Sequence, residues 1–363
     1  MNITDEVQVK LDRVRGLMKE KHLDVVLLSK NENFFWITGG KSAFVDKSGP
    51  AASKIMITAE QNYVVCNSSE RYRVMDEELT DGTFELIPYL WHESEARVLE
   101  QYLAGKKVAS DNGCYGEDIG TDIQHLRYVL TDAEVARFRM IGPEAAQILE
   151  DCCRQIKKGD SEMEVAGMVN GAFFAKGYQM PVTLVAADER LKKYRHPIPT
   201  DNRVEKYMMV AICPQRYGLT VSLTRLVSFG QVDEDKKKRL DAVLKVDAAY
   251  ILSTVPGVKA KDVLEAGKKV YEEEGYGEDF HLHHQGGALG YPTRDYCTDF
   301  SNTETVLEHQ AFSWNPTIAG VKAEDTFIVI DGKPEVISHT GSWVYEDVTY
   351  KGQHILRPGI LVL

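Results

Sequence analysis

The apolar pattern of this chain changes character once, near Thr131, and that change limits the fold more than any other feature. Before it, short apolar runs alternate with helical stretches. Val7, Leu11, Val14, Leu17 and Met18 recur at the spacing of one helix face over residues 7–22. Runs of strand type follow at 24–29, 54–58 and 63–66, then a helical stretch near 93–103 and a further strand at 107–110. Such alternation predicts a compact α/β domain with its boundary between residues 118 and 131. It contains no glycine-rich phosphate loop. The aromatic, then glycine-bearing segment 31–42 reads as a loop at a domain or subunit contact.

Beyond residue 131 the elements lengthen. The spacing predicts a helix over 133–157, with Pro143 kinking it or marking its start. Gly159 stops it, and Ser161 with Glu164 forms a capping box that opens the next helix, to about residue 176. Strands are expected at 207–214 and 219–229 around a turn at 215–218, and helices at 233–251 and 260–274. The last hundred residues are β-rich and dense in Gly, His, Trp and Pro. The expected architecture is α/β (α+β), with domains at 1–125 and 126–363.

Composition narrows the function classes. With 43 Lys+Arg against 55 Asp+Glu, the net charge of −12 and the lack of a basic block argue against a nucleic-acid surface. Apolar runs such as 208–213 are strand-sized, so no membrane span is expected. The opening MNITDEVQVK lacks a basic n-region and an apolar h-region. Six cysteines without a CxxC pair predict reduced thiols and a cytoplasmic chain.

An ordered series of motifs runs through the second half: Arg195-His196-Pro197, GLTVSLTRLVSFG (218–230), HHQGGALGY (283–291), AFSWNPTI (311–318) and GVKAEDTFIV (320–329). In order and spacing this series resembles the pita-bread superfamily of creatinase, prolidase, aminopeptidase P and methionine aminopeptidase. Residues 5–125 resemble the N-terminal domain of creatinase and prolidase. The resemblance implies the pita-bread fold for the catalytic domain and a homodimer. The superfamily's peptidases hold two divalent metals with two Asp, one His and two Glu. Those positions fall here on Ala211, Ser222, Gly287, Asn315 and Glu324, the first two eleven residues apart as in the family. A two-metal site needs several anionic oxygens, and a single surviving carboxylate does not supply them. The chain therefore reads as a divergent member without the paired metals, and no cofactor is expected.

Creatinase is the metal-free precedent within the resemblance. It implies that His196 is a general acid/base and Glu324 its carboxylate partner, while its other active-site Glu falls on Thr224. Read by chemistry, a histidine exchanges protons near neutral pH. A carboxylate at the head of the apolar run 327–330 needs a partner. Arg225 and Arg294 are candidate anion clamps or salt-bridge partners. Trp314 is a candidate pocket wall or core residue, and His283, His284, Asn315 and Thr224 are candidate contacts to substrate. If the segment is extended, His281 and His283 share a face, and a single transition metal on the 281/283/284 cluster is conceivable. The expected function is creatinase-like, metal-independent cleavage of a C–N bond in a small carboxylate-bearing metabolite. The alternatives are a metal-dependent Xaa-Pro peptidase and a non-catalytic relative that binds a peptide or protein.

Overall fold

The computed structural model describes residues 3–45 and 49–363. The chain divides into two compact units. The first runs to Ala133 and includes the turn 217–219; the second comprises Glu134–Arg216 and Thr220–Leu363.

The first unit is built on a six-stranded mixed sheet. Its strand order is Glu85–Tyr89, Asn62–Asn67, Ser53–Thr58, Val25–Leu28, Val108–Ser110 and Glu117–Asp118. The fully buried VVLL run at 25–28 lies near the sheet centre, as expected of a short apolar strand. Part of the expected loop at 31–42 is instead a helix, Asn31–Ile37. Its start has no side-chain cap of its own. The buried Asp111 carboxylate accepts there from the Ser29 and Lys30 amides and from Asn33 Nδ2 at 2.7–3.0 Å. This tie comes from about eighty residues away, so no local signal announces it.

The second unit begins with the helix Asp132–Gln155, which carries Pro143 inside it. Ser161 Oγ accepts from the Glu164 amide while Glu164 returns the contact to the Ser161 amide, closing the expected capping box on Glu162–Phe174. Next comes a five-stranded sheet. Tyr207–Arg216 pairs antiparallel with Gln179–Ala187 on one side and Leu223–Ser228 on the other, and Ile360–Val362 lies parallel to Leu223–Ser228. The strand expected at 219–229 is broken into Leu219–Thr220 and Leu223–Ser228. At the break Ser222 donates its amide to Thr326 Oγ1 at 2.7 Å, and Thr326 Oγ1 donates to the Ser222 carbonyl at 3.0 Å. A second sheet, antiparallel throughout, runs Tyr296–Cys297, Gly286–Leu289, Ala311–Trp314, Phe327–Ile330 and Lys333–Val336.

The core of this unit gathers the apolar face of the helix Glu234–Ser253 with residues from both sheets. Trp314 belongs to it and is no pocket wall. It is 1% exposed, stacks on Tyr250 at 4.8 Å between ring centroids, and donates Nε1–H to Thr254 Oγ1. Phe312 and Phe327 extend the stack. Among the described residues no helix is long and apolar enough to cross a membrane, and the six cysteines form no disulfide.

Beside the aromatic core lies a buried ionic cluster. Arg225 donates Nε–H to Glu150, Nη1–H to Asp325 and to the Thr224 carbonyl, and Nη2–H to the Ser338 carbonyl. Arg357 donates to Asp247 and Asp325 at 2.6–2.8 Å. The side chains of Arg225 and Arg357 have no exposed surface. Arg225 is therefore a structural ion-pair partner and not an anion clamp, because protein acceptors already take its donors. Removing one member strands its buried partners. Arg225→Ala should lower unfolding free energy by about 3–5 kcal/mol, the range for breaking a buried pair. Urea unfolding checks this, and a loss under about 1 kcal/mol would contradict it.

Candidate functional site

Within the second unit a cavity of about 420 Å³ opens beside the first sheet. Ala211 and Cys213 of the strand Tyr207–Arg216 form one wall, and His196, His284, Arg294, Asn315, Lys322 and Glu324 supply its polar lining. Five residues singled out by sequence, His196, His284, Arg294, Asn315 and Glu324, are thus brought together. His283 stands directly behind, with Nε2 3.0 Å from His196 Nε2. Thr224 does not line the cavity; it donates Oγ1–H to Glu324 Oε2 at 2.9 Å. Its part is to position the carboxylate, not to touch a ligand.

Glu324 is held on three sides. Lys322 Nζ lies 2.7 Å from Oε2, Arg294 Nη2 lies 3.1 Å from Oε1, and Thr224 completes the set. The Glu324 backbone is fixed as well, since its carbonyl accepts from the Thr224 amide at 3.0 Å. Burial alone favours the neutral acid, but the Lys322 and Arg294 cations outweigh it and keep the carboxyl below its ordinary range. The next residue, Asp325, is the anion of the buried cluster. Burial opposes its charge too, yet Arg225 and Arg357 keep it ionised.

The histidine corner is assembled from two loops. Arg195 pairs with Asp279 at 2.9 Å, and Asp279 also accepts from the Ala319 amide, which fastens the loop before Tyr207 that carries His196. Gln285, 2% exposed, donates to the His283 carbonyl at 2.7 Å and accepts from the Tyr250 and Tyr271 hydroxyls. Gly286 then enters its strand at φ +96°, with a hypothetical Cβ only 2.4 Å from the Ser313 carbonyl; glycine is required there. The segment is not extended as supposed. His281 sits exposed at the end of the short helix Gly277–Phe280, and His196 takes the place expected for it.

Each imidazole of the corner is pushed toward its neutral form. Withdrawal from water is the main cause, with Lys322 next for His196 and His283, and Arg294 for His284. His283, the buried one, is pushed down to about 2 and His284 to about 4. Among the described residues, Arg294 Nε, Asn315 Oδ1 and His283 Nδ1, in or behind the cavity, are buried without a hydrogen-bond partner.

Sequence reading missed three contributors. Lys322 was hidden because a lone lysine in GVKAED reads as a surface charge, whereas it is 5% exposed. Gln285 and Asp279 act through contacts that only the fold creates.

The donor set does not suit a paired-metal centre. Ala211 and Gly287 offer no ligand, and Ser222 Oγ accepts from Arg294 Nη1 at 3.1 Å and donates to Cys213 Sγ. The one carboxylate is capped by two fixed cations. Positive charge that metals would bring is already present as ammonium and guanidinium.

Because His283 stays neutral when folded but binds a proton freely near pH 6.5 when unfolded, its contribution to stability is complete above about pH 6.5 and declines as pH falls from there. His283→Asn should flatten the drop in urea midpoint between pH 7.5 and 5.5. An unchanged drop would contradict this account of the corner.

Comparison with known proteins places these features. The sequence pattern of metallopeptidase family M24 matches residues 137–331, and that of the creatinase/prolidase N-terminal domain matches residues 10–141. A Xaa-Pro dipeptidase of Pyrococcus horikoshii is 24% identical over 350 residues, covering 90% of this chain and 95% of that protein. An uncharacterized peptidase of Staphylococcus aureus is 25% identical over 276 residues, 72% of this chain and 77% of its own. The crystal structure of the prolidase from P. horikoshii superposes with a TM-score of 0.77 at 19% identity, covering 91% of this chain and 98% of that one.

Proposed function

The chain belongs to metallopeptidase family M24, whose pattern spans more than half its length, and from that premise we propose a hydrolase for a C–N bond in a small carboxylate-bearing molecule. The reaction takes place without the family's two-metal pair. The observation that carries this reading is the triple hold of Lys322, Arg294 and Thr224 on the single carboxylate, Glu324, across a cavity from neutral imidazoles.

The chemistry divides among these groups. His196, neutral and facing the cavity, accepts a proton from water as its oxygen attacks the substrate carbon. The resulting imidazolium returns that proton to the leaving nitrogen as the C–N bond breaks. Arg294 Nε–H, still without a partner, and the Lys322 ammonium offer donors to the substrate carboxylate or to the oxyanion that forms. Asn315 Oδ1 accepts from a substrate N–H. Glu324 stays ionised and orients the two cations. Its low basicity suits it to that fixed, charged part and not to donating a proton.

Xaa-Pro dipeptides fall within this substrate class, and the relatives' names favour them. The test is a panel of Xaa-Pro dipeptides and small amidino and ureido acids, read by release of the amine. His196→Ala should lower kcat about 10²–10⁴-fold. Arg294→Gln should raise KM about tenfold or more, as expected for losing a charge-assisted hydrogen bond of roughly 1.5–3 kcal/mol. Full activity in His196→Ala would overturn the assignment. Xaa-Pro cleavage that needs two manganese ions per chain would restore the paired-metal mechanism.

A further inference from the structure

His196, His283 and His284 present one ring nitrogen each, all within 4.8 Å of one another, at the edge of the cavity. We propose that these three imidazoles form a site for a single transition-metal ion of the zinc or cobalt type, separate from the paired-metal positions of the family. The proposal deepens the hydrolase reading and rests on it only for the cavity the ion faces.

The facing Nε2 atoms of His196 and His283 at 3.0 Å share at most one proton, so one bond is the most the pair makes. A cation among the three rings uses three lone pairs at once. The ring centroids lie 4.7 Å apart for His196–His283, 5.4 Å for His196–His284 and 4.5 Å for His283–His284, so the three imidazoles form one close group. Two nitrogens bound to one tetrahedral ion at about 2.0–2.1 Å stand a little over 3 Å apart, near the 3.0 Å of the His196–His283 pair, and the third lies within 4.8 Å.

Chemistry selects the ion. Neutral nitrogen donors favour zinc, cobalt or copper over magnesium and calcium, which require oxygen. Three histidines leave a fourth position, and His196 and His284 carry it to the cavity they line. Water there becomes acidic near neutral pH. With the site loaded, His196 would be a ligand and the ion would supply an acidified water; with it empty, His196 accepts the proton itself. On the far side of His284, Cys297 Sγ lies 3.8 Å from Nδ1, which leaves Nε2 for the ion. Lys322 and Arg294 repel a dication, so binding is expected to be weaker than at a site backed by carboxylates.

The test uses the full chain, stripped of metal by chelator and titrated with cobalt chloride. Visible absorption of tetrahedral cobalt and calorimetry report occupancy without reference to activity. One ion per chain is expected, displaced by zinc. His284→Asn, at an exposed position that leaves the core intact, should weaken binding by more than the roughly 10–100-fold that losing a group behind a ligand costs. His283→Asn should do the same with the folded state confirmed by melting. Failure to saturate, or binding equally tight in both variants, overturns the site. Either result leaves the hydrolase reading standing, because that reading is judged by amine release.

Discussion

Asp325 is the point on which the catalytic unit turns. Its carboxylate accepts from Arg225, Arg357 and Ser338, and those contacts link the helix Asp132–Gln155 through Glu150 to the helix Glu234–Ser253 through Asp247. Such a cluster is costly to desolvate and tolerable only when every charge is met. The backbone that Asp325 anchors also carries the preceding side chain, Glu324. It meets Thr224, Lys322 and Arg294 at the cavity wall. The anion of the buried cluster and the anion of the cavity are neighbours in sequence.

The electrostatics of the cavity follow from that arrangement. One carboxylate faces two cations, and three imidazoles stand close by in neutral form. The excess of positive charge suits a substrate anion and does not suit a second dication. On the proposed reading, the M24 fold keeps its cavity here and side-chain charge stands where the family's peptidases hold metal charge. Three imidazoles against one edge then offer a separate, softer site for one ion.

Much of this was legible in the sequence, and the failures have physical causes. Local signals worked: the Ser161–Glu164 capping box and the strand and helix alternation of the first hundred residues describe the elements found there. The ordered motifs carry His196, Asn315 and Glu324, and the structure gathers these with Arg294 at one cavity. For Arg225 and Trp314 the sequence left pocket and core both open, because charge and aromaticity look alike in either, and only burial among specific partners separates them. The helix at Asn31–Ile37 escaped because the group that ties down its start, Asp111, is distant in sequence. His281 and His196 exchanged places because the histidine segment ends a helix and is not a strand.

The central claim is that Lys322 and Arg294 occupy the electrostatic place of the paired metals. Anomalous diffraction from crystals soaked in manganese tests it most directly. The account predicts no ion against Glu324 and both cations still on its carboxylate. Two manganese peaks beside Glu324, with Lys322 and Arg294 swung away, would contradict it.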